Sequence, residues 1–165
     1  MRPRTVWGRL RAVRLLGLDV DGVLTDGKLH YGPKGVVMKS FHVQDGLGIR
    51  RLQESGILVA ALSGRRDDSA RARLDELGLA HVCLGEREKT RAWQDILGAA
   101  GVLPEEAAFL GDDLPDAEIF GFCGVAIAVA NAMPLVRRLA HHVTKKRGGE
   151  GAVREVAELL LMARG

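Results

Sequence analysis

Abundant cysteine, long apolar runs and a strong excess of one charge are all missing from this sequence. Its 2 cysteines, Cys83 and Cys123, are far apart and show no CxxC spacing, which argues against a disulfide scaffold or a thiolate zinc site. No apolar run approaches the length of a membrane span. Charged residues also interrupt the first apolar residues, so no targeting signal is predicted. We therefore expect a cytoplasmic protein with no membrane partner.

Charge and size limit the function classes further. The 24 Lys and Arg residues against 21 Asp and Glu residues give a net charge of only +3, and much of the excess lies in Arg2, Arg4, Arg9, Arg11 and Arg14. So local an excess does not predict nucleic-acid binding. A chain of 165 residues that is 47% hydrophobic can build one core unaided. We predict a basic N-terminal segment at 1–14 and a single domain at 15–165.

Short apolar runs alternate with helical patterns along the chain. The runs lie at residues 15–20, 57–62, 81–84, 107–110 and 125–129. This alternation predicts an α/β fold with a Rossmann-like, doubly wound and mainly parallel sheet. Asp45 is placed to cap a helix that runs to Ser55, with Gly56 as its stop.

One segment breaks the alternation directly after the first predicted strand. Gly27, Gly32, Pro33 and Gly35 punctuate the apolar residues of this segment, which predicts a projecting β-hairpin. Loops that follow strand ends line the ligand crevice of an open α/β sheet, so we expect the hairpin to hang over that crevice.

Two carboxylates, Asp19 and Asp21, end the first apolar run and are followed by Gly22. A lone aspartate here would usually cap a turn. Two at i and i+2 on an extended chain point to the same side, and their burial requires a cation. Asp112 follows another apolar run, and oxygen donors without histidine or cysteine favour Mg²⁺ over zinc.

Ser63 and Lys89 follow two further apolar runs. The Ser63 hydroxyl and the backbone N–H groups beyond it could hold phosphate oxygens at the start of a helix. Alone, a Ser-Gly pair after a strand is usually a turn, and a single lysine usually lies on the surface. All these elements nevertheless occur at predicted strand ends, where a doubly wound sheet would bring them together.

In chain order these elements resemble the four motifs of the haloacid dehalogenase-like hydrolase superfamily: Asp19-x-Asp21, Ser63, Lys89, and Gly111-Asp112 with Asp116. The resemblance covers essentially the whole chain from residue 15 onward. It implies a magnesium-dependent phosphomonoesterase that forms an aspartyl-phosphate. It further implies that Asp113 and Asp116 orient Lys89 or metal-bound water.

The same resemblance implies a role for each motif residue. Asp19 would be the nucleophile, and Asp21 would act first as general acid and then as general base. Ser63 and Lys89 would hold the phosphate oxygens. The metal ligands would be the carboxylate of Asp19, the main-chain carbonyl of Asp21 and the carboxylate of Asp112.

The spacing between motifs leaves no room for a cap domain. Between Asp19 and Ser63 the sequence holds only the hairpin and one helix, and between Ser63 and Asp112 only ordinary α/β units. A capless site either accepts large substrates or is closed by a neighbouring subunit, with the hairpin as a candidate contact.

Longer stretches resemble a capless, tetrameric branch of the superfamily, phosphatases of 3-deoxy-D-manno-octulosonate 8-phosphate. They lie at residues 19–27, 41–50, 63–65, 111–114 and 148–155. This resemblance implies a homotetramer that hydrolyses that acidic sugar phosphate in lipopolysaccharide precursor synthesis. It implies substrate contacts from Asp21, His42, Val43, Gln44, Asp45, Gly46, Arg50, Gly64, Arg65, Arg73 and Lys89. It also makes Lys145, Lys146, Arg147 and Gly148 candidates for closing the site of an adjacent protomer.

Some alternatives remain open. Arg73 could instead pair along an exposed helix face, and His42 and Asp68 stand where the branch commonly has Asn and Lys. A phosphatase of a sialic-type nine-carbon acid is the nearest rival, although such relatives tend to carry Glu where this chain has Arg65. A phospho-acceptor signalling domain would lack the second acid, Asp21. A binding homologue without turnover is at odds with the intact set of motifs.

Overall fold

Six parallel strands form the central sheet of the computed structural model, which describes residues 5–165. The first four residues, among them Arg2 and Arg4 of the predicted basic segment, lie outside the described part. The strands are β1 Leu15–Leu18, β2 His30–Gly32, β3 Gly35–Met38, β4 Leu58–Ser63, β5 His81–Leu84, β6 Ala107–Gly111, β7 Val125–Ala128 and β8 His142–Val143. The helices are α1 Val6–Arg11, α2 Val43–Glu54, α3 Asp68–Glu76, α4 Lys89–Ala100, α5 Leu114–Ile119, α6 Pro134–Leu139 and α7 Ala152–Arg164.

The strand order is β5-β4-β1-β6-β7-β8, and every neighbouring pair is parallel. β1 lies near the middle, between β4 and β6, and each of its residues is buried. Strands β4 and β5 lie on one side of β1, and strands β6, β7 and β8 lie on the other. At such a switch point a crevice opens beyond the carboxyl ends of the strands. The predicted fold class is confirmed; β8 has only two residues and was too short to give a pattern.

Helices flank this sheet and pack in two groups. α2 packs on α7, which also contacts α1, whereas α4 packs on α5 and β4. The ring of Trp93 meets that of Phe109 edge to face at 5.2 Å. Helix α1 brings part of the basic N-terminal segment onto the domain, and the division at residue 15 stays a prediction. Within the described residues, no helix is long and apolar enough to cross a membrane.

Asp45 does not cap α2, so that prediction is wrong. The helix begins at Val43, and His42 precedes it with Nδ1 accepting from the Gln44 N–H at 3.2 Å. Asp45 is instead buried, and its Oδ1 accepts from the Arg154 N–H at 2.8 Å in the first turn of α7. Burial raises the pKa of Asp45. The packing of α2 on α7, which sequence spacing does not reveal, turns this carboxylate into a link between the two helices.

The hairpin after β1 is present, as predicted. β2 and β3 pair antiparallel, and Thr25 bridges to Phe41 at the base. Tyr31, Val37 and Met38 are exposed to solvent. The hairpin therefore projects from the sheet with apolar side chains on its surface.

Gly148 packs against the loop that follows β1 in its own chain. Its N–H donates to Asn131 Oδ1 at 2.7 Å, and the Gly149 N–H donates to Val23 O at 3.0 Å. A Cβ at position 148 would overlap the Gly22 carbonyl oxygen, so only glycine fits here. Gly148 therefore holds this chain's own loop in place, and its predicted part in closing the site of an adjacent protomer stays a prediction.

We predict that Gly148→Ala lowers the free energy of unfolding by about 3 kcal/mol, because backbone must shift to make room. Gly98→Ala is the matched control: in α4 an added Cβ meets nothing within 4 Å, and the change should raise stability by about 0.5 to 1 kcal/mol. Urea unfolding followed by circular dichroism measures both. Equal stability of Gly148→Ala and the unsubstituted protein would contradict the close approach.

Candidate active site

The predicted motifs meet at the carboxyl edge of the sheet. Asp19 follows β1, Ser63 ends β4, Lys89 begins α4 after β5, and Asp112 follows β6. They line an open crevice of about 550 Å³ together with neighbouring residues; its lining is Asp19, Asp21, Gly27, Ser63, Gly64, Arg65, Lys89, Asp112, Asp113, Pro115 and Asp116. Adjacent parallel strands thus bring together residues that are far apart in the sequence.

Lys89 is buried between two carboxylates. Its Nζ donates to Asp19 Oδ1 at 2.9 Å and to Asp116 Oδ1 at 2.8 Å. Burial alone would lower the pKa of Lys89, but the charges of Asp19 and Asp116 outweigh it and raise that pKa above its usual range. The lysine therefore stays charged beside the buried Asp19 carboxylate.

Asp116 is held on both of its oxygens. Besides the bond from Lys89, its Oδ2 accepts from the Asp112 N–H at 2.9 Å and from the Asp113 N–H at 3.3 Å. These bonds lie at the start of α5, where Asp116 closes the first turn. The orientation of Lys89 by Asp116 that the resemblance implies is therefore built into the helix start.

Asp19, Asp112 and Asp116 form a cluster whose carboxylate oxygens lie within 4.8 Å of one another. Burial and the charge of Asp116 raise the pKa of Asp19 to about 6. Burial and the charges of Asp19 and Asp116 raise the pKa of Asp112 to about 9. Since Asp116 is already bonded on both oxygens, Asp19 and Asp112 are the carboxylates left to a cation. Hard oxygen donors at such a site fit Mg²⁺.

Gly22 lets the loop after β1 pass over this cluster. Its φ is +89°, in the left-handed region that favours glycine. A Cβ there would overlap the carboxylate of Asp112. The Gly22 of the sequence motif thus serves both the turn and the approach of Asp112 to Asp19.

Asp21 faces a different set of charges. Its Oδ1 lies 2.6 Å from Lys39 Nζ, an ion pair that lacks the angles of a good hydrogen bond, and its Oδ2 lies 3.6 Å from Arg65 Nε. Lys39 also contacts Asp67 Oδ2 at 2.5 Å. Sequence reasoning missed Lys39 and Asp67, because no local pattern marks a lysine at a hairpin end whose partners are distant in the chain.

Ser63 is buried at the end of β4. Its Oγ accepts from the Arg65 N–H at 3.1 Å, which leaves the hydroxyl proton free to point into the crevice. Gly64 and Arg65 line the same crevice and are exposed. This arrangement can bind phosphate oxygens through a hydroxyl and a guanidinium.

Seven predicted substrate contacts lie outside the crevice lining: His42, Val43, Gln44, Asp45, Gly46, Arg50 and Arg73. Asp45 is engaged with α7. Arg73 packs against Gly46, and its Nη1 pairs with Glu76 Oε2 at 2.9 Å. The pairing of Arg73 along α3 is therefore the arrangement found, at spacing i,i+3.

Comparison with known proteins finds a matching family model and similar phosphatases. A family model described as haloacid dehalogenase-like hydrolase matches residues 85–156. The 3-deoxy-D-manno-octulosonate 8-phosphate phosphatase KdsC of Haemophilus influenzae is 45% identical over 157 residues, or 95% of this chain and 87% of that protein.

Two solved structures are also similar. The cobalt-bound deoxy-D-mannose-octulosonate 8-phosphate phosphatase of Haemophilus influenzae has a TM-score of 0.94 at 44% identity, covering 95% of this chain and 92% of that one. The 3-deoxy-D-manno-octulosonate 8-phosphate phosphatase of Moraxella catarrhalis, solved with a magnesium ion, a phosphate ion and KDO, has a TM-score of 0.92 at 38% identity, covering 96% and 91%.

We predict that Mg²⁺ raises the thermal midpoint by about 3 to 5 °C and that Asp112→Asn abolishes this shift. Without metal and above about pH 9, the variant should melt higher than the unsubstituted protein, because there it lacks one of the clustered anions. The pKa values of Asp19 and Asp112 are raised in the fold, so the metal-free protein loses stability as pH rises through them. The Mg²⁺ shift should therefore be larger at pH 8 than at pH 6.

Differential scanning fluorimetry with and without Mg²⁺ measures these shifts. Asp95→Asn is the matched control, since Asp95 is exposed on α4 and lies outside the crevice lining. A Mg²⁺ shift that survives Asp112→Asn would show that the ion binds elsewhere.

Proposed function

The chain belongs to the haloacid dehalogenase-like hydrolases, among the 3-deoxy-D-manno-octulosonate 8-phosphate phosphatases, and we propose that Asp19 is its nucleophile. The enzyme is a magnesium-dependent phosphomonoesterase that releases phosphate and the free sugar acid from that ester. One observation carries the assignment of Asp19: its buried carboxylate after β1 accepts from Lys89 and belongs to the one group of three carboxylates in residues 5–165 that lie close enough to hold a metal ion.

In the first step an oxygen of Asp19 attacks phosphorus. The bond from phosphorus to Asp19 forms as the bond to the sugar oxygen breaks, and Asp21 gives its proton to that departing oxygen. Lys89 and Ser63 hold the other phosphate oxygens during the transfer. The products of this step are the free sugar acid and an aspartyl-phosphate.

In the second step Asp21 takes a proton from water, whose oxygen attacks the phosphorus. The bond between phosphorus and Asp19 breaks, which restores the Asp19 carboxylate and releases phosphate. Asp19, the main-chain carbonyl of Asp21 and Asp112 would hold Mg²⁺, which would supply positive charge and so reduce the repulsion between carboxylates and phosphate. Asp21 thus ends the cycle protonated, as it began.

We propose that Gly64, Arg65 and Lys89 contact the substrate, because all three line the crevice. A guanidinium fork at Arg65 suits a carboxylate or a phosphate. Contacts from His42, Val43, Gln44, Gly46, Arg50 and Arg73 stay predictions. For Asp45 we favour a structural role, since its carboxylate is buried against α7.

We further propose that the enzyme is a cytoplasmic homotetramer that serves lipopolysaccharide precursor synthesis, as the resemblance implies. Tyr31, Val37 and Met38 of the hairpin are 67%, 62% and 52% exposed, a cluster of apolar surface that suits a subunit contact. Lys145, Lys146 and Arg147 are exposed and stay candidates for closing an adjacent site. The crevice of one chain is open, which is consistent with completion by a neighbour.

We predict that Asp19→Asn abolishes phosphate release in the presence of Mg²⁺, because an amide cannot form the aspartyl-phosphate. In Asp21→Asn, 4-nitrophenyl phosphate should load the protein with one phosphoryl group, since the second step lacks its base. A malachite green assay and intact-protein mass spectrometry measure the two results. Asp95→Asn, on the exposed side of α4, serves as control. Retained turnover in folded Asp19→Asn would refute the nucleophile.

For the substrate, we predict that kcat/KM is highest for 3-deoxy-D-manno-octulosonate 8-phosphate across a panel of sugar phosphates. The panel includes a nine-carbon sialic-type acid phosphate and neutral hexose phosphates, each with Mg²⁺ and with a chelator. Removal of Mg²⁺ should stop turnover on every member. A clear preference for the nine-carbon acid would contradict the substrate.

A further inference from the structure

Lys39 is a buried lysine with two acidic partners. Its side chain is 0% exposed, and its Nζ lies 2.6 Å from Asp21 Oδ1 and 2.5 Å from Asp67 Oδ2. Removing an ammonium from water costs several kcal/mol unless opposite charges and hydrogen bonds compensate. The position of Lys39 is therefore determined by these two carboxylates.

Lys39 lies where three parts of the structure meet. It follows β3 at the base of the hairpin, whereas Asp21 belongs to the loop after β1. Asp67 is the N-cap of α3, and its Oδ1 accepts from the Ala70 N–H at 2.8 Å. Since Asp67 is fixed by the start of the helix, it also fixes the ammonium that contacts Asp21.

The two oxygens of Asp21 have different surroundings. Oδ1 faces the buried Lys39, whereas Oδ2 lies 3.6 Å from Nε of Arg65, whose side chain is 45% exposed. Asp21 and Arg65 line the crevice, and Lys39 does not. Lys39 therefore has no access to a substrate in the crevice and can act on it only through Asp21.

We propose that Lys39 is a positioning residue that anchors Oδ1 of Asp21, so that Oδ2 is presented to the oxygen that gains or loses the proton. This inference rests on the proposed function, in which Asp21 is the general acid and base. Because Asp67 also neutralises Lys39, the anchor keeps a partner whether or not Asp21 holds the proton. A free Asp21 carboxylate would rotate away, since it has no aligned hydrogen bond of its own to Oδ1.

The test uses leaving groups that differ in their need for an acid. The departing alkoxide of 3-deoxy-D-manno-octulosonate 8-phosphate requires a proton, whereas the phenolate of 4-nitrophenyl phosphate leaves without one. The ratio kcat/KM reports the steps up to the first phosphoryl transfer, so the second step does not affect the comparison. A merely structural defect lowers kcat/KM for both substrates alike.

For Lys39→Met we expect kcat/KM to fall about 100-fold for the sugar phosphate and less than about 5-fold for 4-nitrophenyl phosphate. An equal loss on both substrates, or no loss on either, overturns the proposal. Lys34→Met is the matched control: Lys34 is exposed at the turn of the same hairpin, and we expect both kcat/KM values to stay unchanged. A leaving-group-dependent loss in Lys34→Met would also overturn the assignment to Lys39.

Removal of Lys39 leaves Asp67 and Asp21 without their shared cation, which disfavours the fold, so a second variant is needed. Lys39→Met/Asp67→Asn removes one negative charge as well, and Asn still caps α3. We expect the same leaving-group-dependent loss in this double variant, and kcat/KM values like those of the unsubstituted protein would overturn the proposal. If the unsubstituted protein releases no phosphate from 3-deoxy-D-manno-octulosonate 8-phosphate, the proposed function is wrong. The role of Lys39 is then tested with an alkyl phosphate that the protein does cleave, compared with 4-nitrophenyl phosphate.

Discussion

The bridge from Lys89 to Asp19 and Asp116 is the interaction on which the rest of the site depends. It allows three carboxylates to be buried at one strand edge, where their mutual repulsion would otherwise disfavour the fold. Asp116 Oδ1 accepts from Lys89, and Asp116 Oδ2 accepts from the N–H groups of Asp112 and Asp113 at the start of α5. The helix start therefore fixes the carboxylate that holds the lysine. One ammonium thus links Asp19, directly after β1, with the start of α4 and the start of α5.

Close backbone contact is the second constraint. The loop after β1 is held between Asp112 on one side and Gly148 on the other, and at both contacts a side chain on the glycine would overlap its neighbour. These contacts place the carbonyl and N–H groups of the loop without help from a cap domain. They also explain why the glycine-rich segment before α7 belongs to the active-site architecture of its own chain.

The two acidic groups of the first motif differ because their surroundings differ. Asp19 is buried beside Lys89 within the carboxylate cluster, a setting that suits the proposed nucleophile. Asp21 is turned towards Lys39 and Arg65, away from that cluster. This separation fits the proposed roles, with covalent chemistry at Asp19 and proton transfer at Asp21, and the Lys39 ion pair links the base of the hairpin to Asp21.

Local pattern was enough to predict the α/β fold, the hairpin and the residues at strand ends, because apolar runs, glycine turns and acidic strand ends depend on near neighbours in the chain. Asp19 and Asp112 were predictable from such patterns, whereas Ser63 and Lys89 were predictable only from the order of all four motifs along the chain. Packing between distant segments decided the rest. It assigned Asp45 to α7, brought Asp67 and Lys39 to Asp21, and set Gly148 on the loop of its own chain. No sequence window contains both members of these contacts, so their energies are determined only when the folded chain brings them together.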